Sequence, residues 1–222
     1  MSLFSGTRPL GRRVWLAIAG LGITQIIGWG STYYLLTLLA RPIGASLGMP
    51  LELVSAGMSI LLLLSALLGP YAGRLMDMHG ARPVMMAGSA IAALGLAVLS
   101  RITASTGYFG AWFILGVAAS MILYPAAFTA LTQIVPDQAR RAITLLTLPG
   151  GLASTVFWPL TKALLDVTDW RSIALIYAGL NLCICLPIHA LVIPPGGTRL
   201  RPQSNPANGP ELCEALSRDT GI

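Results

Sequence analysis

The sequence predicts an all-α integral membrane protein whose six transmembrane helices form an inverted three-plus-three repeat. Three observations carry this. First, 55% of the 222 residues are hydrophobic and only 10% are charged, with a mean hydropathy of +0.75. A soluble domain carries about 25% charged residues. Second, Arg13 to Arg41, Glu52 to Arg74, Arg82 to Arg101, Arg101 to Asp137, Arg141 to Lys162 and Arg171 to Arg199 bracket six intervals free of Asp, Glu, Lys and Arg. Each spans, or nearly spans, the ~20 residues a helix needs to cross the hydrocarbon. A charge at mid-bilayer costs about 2.5–3.5 kcal/mol on insertion scales, which explains the exclusion. Third, an offset of 89 residues lays "GPYAGRLMDMHGAR" (Gly69–Arg82) on "WPLTKALLDVTDWR" (Trp158–Arg171). Pro70, Leu75, Asp77 and Arg82 then meet Pro159, Leu164, Asp166 and Arg171. An odd number of helices separates the copies, so they lie at opposite membrane faces, as in an inverted repeat.

The first span, 14–39, follows Arg12 and Arg13. It is too long for a signal-peptide core and lacks a small-x-small cleavage site. Gln25, Trp29 and Tyr33 stand at i, i+4 and i+8, on one helical face. A Gln amide at this depth needs a partner or water, so the face points into the bundle or into a cavity. The second span, 53–73, runs from Glu52 to the charged stretch that starts at Arg74. The third, 84–101, opens behind Pro83, a residue suited to a first helical turn. In the fourth, 108–132, Pro125 frees the carbonyl of Met121 beside Tyr124, for a polar site or for a packing kink. The fifth, 143–165, contains Gly150 and Gly151, which permit close approach or bending. The sixth, 172–193, carries Asn181 as interhelical glue, and His189 near an end that water reaches. Residues 1–13 form a cytoplasmic N-terminus, and the Pro- and Gly-rich 194–222 read as a disordered cytoplasmic tail.

Lys and Arg counts set the orientation. With the N-terminus inside, Arg8, Arg12, Arg13, Arg74, Arg82, Arg140, Arg141, Arg199, Arg201 and Arg218 are cytoplasmic, against Arg41, Arg101, Lys162 and Arg171 outside. Both termini are therefore expected in the cytoplasm, in a plasma membrane such as the bacterial inner membrane. The basic balance thus reflects topology, and no aromatic-interleaved basic patch points to nucleic acid. Cys183, Cys185 and Cys213 lack zinc-site spacing, and no metal, cofactor or catalytic residue is expected. A six-helix membrane enzyme needs clustered carboxylates or His pairs, and His79 and His189 have no suitable partners.

Between the second and third spans, Gly73, Asp77, Gly80 and Arg82 spell G-x-x-x-D-x-x-G-x-R. This resembles the cytoplasmic signature loop of major facilitator superfamily transporters, and residues 10–195 resemble their N-terminal six-helix half. The resemblance implies a secondary transporter that moves a small solute by alternating access, with helices 1 and 4 lining the cavity. Gln25, Trp29, Tyr33 and Tyr124 are then its cavity residues, and the Gly73–Arg82 loop is a latch between halves, echoed at Asp166 and Arg171. In the loop, Gly80 suits a positive φ, Gly73 permits close approach, and Asp77 stands within pairing reach of Arg82. "GWGS" (Gly28–Ser31) and "GGLASTVFWPL" (Gly150–Leu160) resemble bacterial monocarboxylate or oxalate/formate porters. A complete member has twelve helices. The expected partners are the lipid bilayer, a small-molecule substrate, and either a second copy or a missing C-terminal half. The alternative is an inactive truncated fragment or a non-transporting membrane subunit.

Overall fold

The computed structural model describes residues 11–195, which contain helices and connecting turns but no strand. The N-terminal residues before Gly11 and the tail after Pro195 lie outside the described residues. Among the described residues six helices are long and apolar enough to cross a membrane: α1 Arg12–Leu47, α2 Leu51–His79, α3 Ala81–Arg101, α4 Ser105–Ile134, α5 Pro136–Leu165 and α6 Trp170–Val192.

Most of these outrun the charge-free spans. At 1.5 Å per residue the 36 residues of α1 extend about 54 Å, against roughly 30 Å of hydrocarbon. Charge exclusion marks only the part in lipid; the helix continues through Arg41 and Pro42 to a left-handed Gly48 (φ 63°).

The packing repeats between the two halves. The second helix of the first triplet packs against the first of the second (α2 on α4), and α5 packs on α1 in the same way. The third helices, α3 and α6, meet each other. α3 is also sandwiched against α4, where Tyr108, Trp112 and Leu115 form a fully buried centre with Leu96 and Leu99. The Tyr108 hydroxyl donates to the Val54 carbonyl of α2, so the ring's polar end is satisfied inside the bundle. α2 and α5 bury the smallest share of their surface, leaving Leu63, Leu67 and Tyr71, and Leu148, Val156 and Trp158, exposed.

Four helices are irregular, and two of these irregularities correspond. α1 widens to a π-helical turn at Gly30–Tyr34. Moved by the 89-residue repeat, that turn falls on 119–123, where α4 breaks at an extended Leu123 (ψ −172°). Pro125 supplies no N–H to the preceding turn, which accounts for the break. α5 is interrupted at Leu152, after Pro149 and Gly150, and α6 has its own π-turn at Asn181–Cys185.

Candidate functional site

The irregular middles of α1 and α4 face each other, and their aromatic side chains meet there. The Trp29 ring lies 5.6 Å from Tyr33 and 5.3 Å from Tyr124, and Tyr124 stacks on Phe128 at 5.3 Å. All four are only partly buried. The Tyr124 hydroxyl reaches the Thr147 carbonyl of α5 in a long 3.3 Å bond. The indole Nε1 of Trp29 is buried and has no partner among the described residues. The cluster thus offers aromatic faces and one loosely held hydroxyl, beside a buried indole N–H, a set that suits an apolar body with a polar end.

Gln25 stands behind this face. It is fully buried, and its Nε2 donates to the Ile122 carbonyl at 2.8 Å, just before the α4 break. The carbonyl it serves is one residue beyond Met121, because the chain turns extended at Leu123. Its Oε1 has no partner among the described residues. A second buried pair ties α1 to α6: Asn181 Nδ2 donates to Ser31 Oγ and to the Tyr177 carbonyl, each at 2.9 Å. Both residues of that pair sit in π-turns, and such turns recur at functional sites. α5 approaches α1 here so closely that a Cβ on Gly30 would run into the Phe157 ring.

The signature loop differs from the sequence expectation in two respects. Asp77 and Arg82 form no ion pair; among the described residues the ion pair present is Lys162–Asp166, at 2.6 Å. Asp77 is exposed on the last turn of α2, and Gly80 turns the chain sharply before Arg82, so five residues of separation do not translate into contact. Gly73 makes no close approach, since a Cβ there would meet nothing within 4 Å. Gly80 does need its glycine: φ 87° with ψ 157° lies in a region essentially closed to other residues.

What fixes the loop is a residue that sequence reading passed over. Gln133, near the end of α4, accepts the Ala81 N–H through Oε1 (3.0 Å) and donates through Nε2 to the Met76 carbonyl (3.1 Å). One amide therefore caps the start of α3 and the end of α2, whose groups have no other side-chain cap. No motif announces it; the signal available was a lone Gln just beyond the fourth span.

At the opposite end Asp166 and Arg171 do not pair with each other. Asp166 is engaged by Lys162 one turn back. Arg171 donates to the Ile102 carbonyl at 2.9 Å while its guanidinium covers the Trp170 ring at 4.3 Å. Asp169 caps α6 by accepting the Ser172 N–H at 3.1 Å; the Ser172 side chain first, and its N–H second, hold the Asp169 carboxyl below the usual carboxylate range. His189 is buried, contrary to the expectation that water reaches it. Its Nδ1 shares a 2.9 Å hydrogen bond with Ser89 of α3, because α6 turns this face inward.

Six helices fit to cross a membrane in two inverted triplets, with irregular turns at repeat-related positions of α1 and α4, define a multi-pass membrane protein. The chain belongs to the major facilitator superfamily, whose family model matches residues 18–217. It is also similar to a Thermoproteus tenax protein described as an uncharacterized 38 kDa protein in a 23S RNA operon. The two are 30% identical over 186 residues, which cover 83% of this chain and 48% of that protein. The chain thus spans about half the length of this curated relative.

Proposed function

We propose that this chain is one six-helix half of a secondary transporter that moves a small solute by alternating access. Trp29, Tyr33 and Tyr124 contact the solute, and Gln25 holds the α1–α4 pair that presents them. The observation that carries this reading is the meeting of Trp29 and Tyr124 at 5.3 Å, where both helices depart from α geometry. Irregular backbone in a membrane is tolerated where it lines a cavity or is buried in protein. The sparsely buried faces of α2 and α5 meet a second six-helix unit, either a further half or another copy of this chain. The Gly73–Arg82 loop engages that unit on the cytoplasmic side, where both termini also lie. Narrower kinship with bacterial monocarboxylate or oxalate/formate porters rests on "GWGS" and the Gly150–Leu160 run, and directs attention to organic anions.

The test is cysteine labelling in membranes, in a chain freed of Cys183, Cys185 and Cys213. A water-soluble maleimide should reach positions 29 and 33 but not the buried position 25, and a transported solute should slow the labelling. If 29 and 33 stay unlabelled while the helix ends react, the cavity reading is lost.

A further inference from the structure

Where α1 and α6 meet at mid-depth, buried oxygen acceptors outnumber the donors left to serve them. Asn181 is the twelfth of the 23 residues of α6, and both it and Ser31 of α1 are fully buried. The two amide protons of Asn181 are spent, one on Ser31 Oγ and one on the Tyr177 carbonyl, each at 2.9 Å. Turning the amide over would set its oxygen against that carbonyl. Oδ1 is therefore held as a pure acceptor, and it has no partner among the described residues. The Tyr177 hydroxyl brings no relief: Thr161 donates to the Phe157 carbonyl, which obliges Tyr177 to donate to Thr161 Oγ1, both at 2.5 Å. The backbone adds a further acceptor. In the π-turn Asn181–Cys185 the Leu186 N–H reaches back to the Asn181 carbonyl, and Pro187 has no N–H, so the Leu182 carbonyl loses both its α and its π donor.

A buried acceptor without a donor is costly in lipid, and a cation meets its need as an N–H would. Carbonyls of irregular transmembrane helices coordinate Na+ near the bilayer midplane in this way. The carboxylates of the described residues, Glu52, Asp77, Asp137, Asp166 and Asp169, all lie at helix ends or in turns, so the oxygens here are neutral. Ca2+ and Mg2+ draw on carboxylates, which leaves a monovalent ion. We propose that Asn181 Oδ1 and Ser31 Oγ, with carbonyls of the two π-turns, bind a sodium ion between α1 and α6. Side chains only 2.9 Å apart suit a small ion, whereas K+ needs a wider ring of oxygens. The ion braces the Gly30–Tyr34 turn, which also carries Tyr33 into contact with Trp29. The proposal concerns binding alone and stands without the transport reading.

The experiment measures thermal unfolding of the purified chain in phosphatidylcholine nanodiscs, with NaCl or KCl exchanged for choline chloride at constant ionic strength. Na+ should raise the unfolding temperature along a saturable curve, and K+ should leave it unchanged. Ser31→Ala should raise the Na+ concentration at half-saturation by about tenfold. Asn181→Leu should abolish the response, and Cys183→Ser, at an exposed position of the same π-turn, should leave it intact. Should Asn181→Leu fail to fold, Ser31→Ala decides alone, because Asn181 keeps its bond to the Tyr177 carbonyl there. Equal effects of Na+ and K+, no effect of either, or an unaltered Na+ midpoint in folded Ser31→Ala overturns the proposal. So does a response lost equally in Cys183→Ser, which would trace it to the turn in general rather than to these oxygens.

Discussion

Gln133 offers the sharpest test of how the α2–α3 loop is held. Gln133→Leu keeps the side-chain volume but deletes both amide bonds. The Met76 carbonyl retains the Gly80 N–H at 2.8 Å, so its loss is one net hydrogen bond, about 0.5–1.5 kcal/mol. Ala81 fares worse: the residue is buried, and its N–H is left without the only side-chain acceptor it has. A buried unsatisfied donor costs about 1–3 kcal/mol. Together these give about 1.5–4.5 kcal/mol, a fall of roughly tenfold or more in the folding equilibrium constant. Gln133→Glu keeps the acceptor for Ala81 and places negative charge at the start of α3, but turns an acceptor oxygen on the Met76 carbonyl, so it should fall between wild type and Gln133→Leu. Equilibrium unfolding in mixed micelles with rising SDS measures both. A Gln133→Leu chain within about 0.5 kcal/mol of wild type would refute the clamp.

The other predictions concern single positions. Gly80→Ala forces a φ of 87° on a residue with a Cβ and should destabilise the chain by about 1–3 kcal/mol in the same assay; Gly73→Ala, in open space on a helix, should leave stability unchanged or slightly raised. Gly30→Ala should overpack the α1–α5 contact by about 1–3 kcal/mol and recover in part with Phe157→Leu; failure of that rescue would show the crowding lies elsewhere. Because the folded Asp169 carboxyl titrates below its unfolded value near 3.8, its contribution is whole above that pH and fades as pH falls through the folded pKa. Unfolding scans of wild type and Asp169→Asn should therefore separate near neutral pH and converge under acid; curves with a constant gap would contradict the assignment.

What the sequence made legible is what the bilayer enforces on composition. Six crossings follow from where Asp, Glu, Lys and Arg are absent, since no folded arrangement relieves a charge at mid-membrane easily. Gly80 was legible too, because a tight turn between long helices restricts φ whatever surrounds it. The partners of polar groups were not. Nothing in the spacing of Asp77 and Arg82 says that a turn will carry them apart, and nothing in Gln133 says that it will reach two helices at once. His189 looked accessible because depth was inferred from distance along the chain, whereas its exposure depends on the rotation of α6 against α3.

The same distinction explains the middle of the fold. Hydropathy is blind to a π-turn, which neither adds nor removes apolar residues, so the widening at Gly30–Tyr34 left no trace in the pattern. The α4 break was half legible through Pro125. Only the repeat relates the two. A polar backbone group freed in lipid must be served from a neighbouring helix, and the amide of Gln25 does this for Ile122. The Gln25 amide thus ties α1 to α4 beside the π-turn at Gly30–Tyr34 and the break at Leu123, where Trp29 and Tyr124 meet at 5.3 Å.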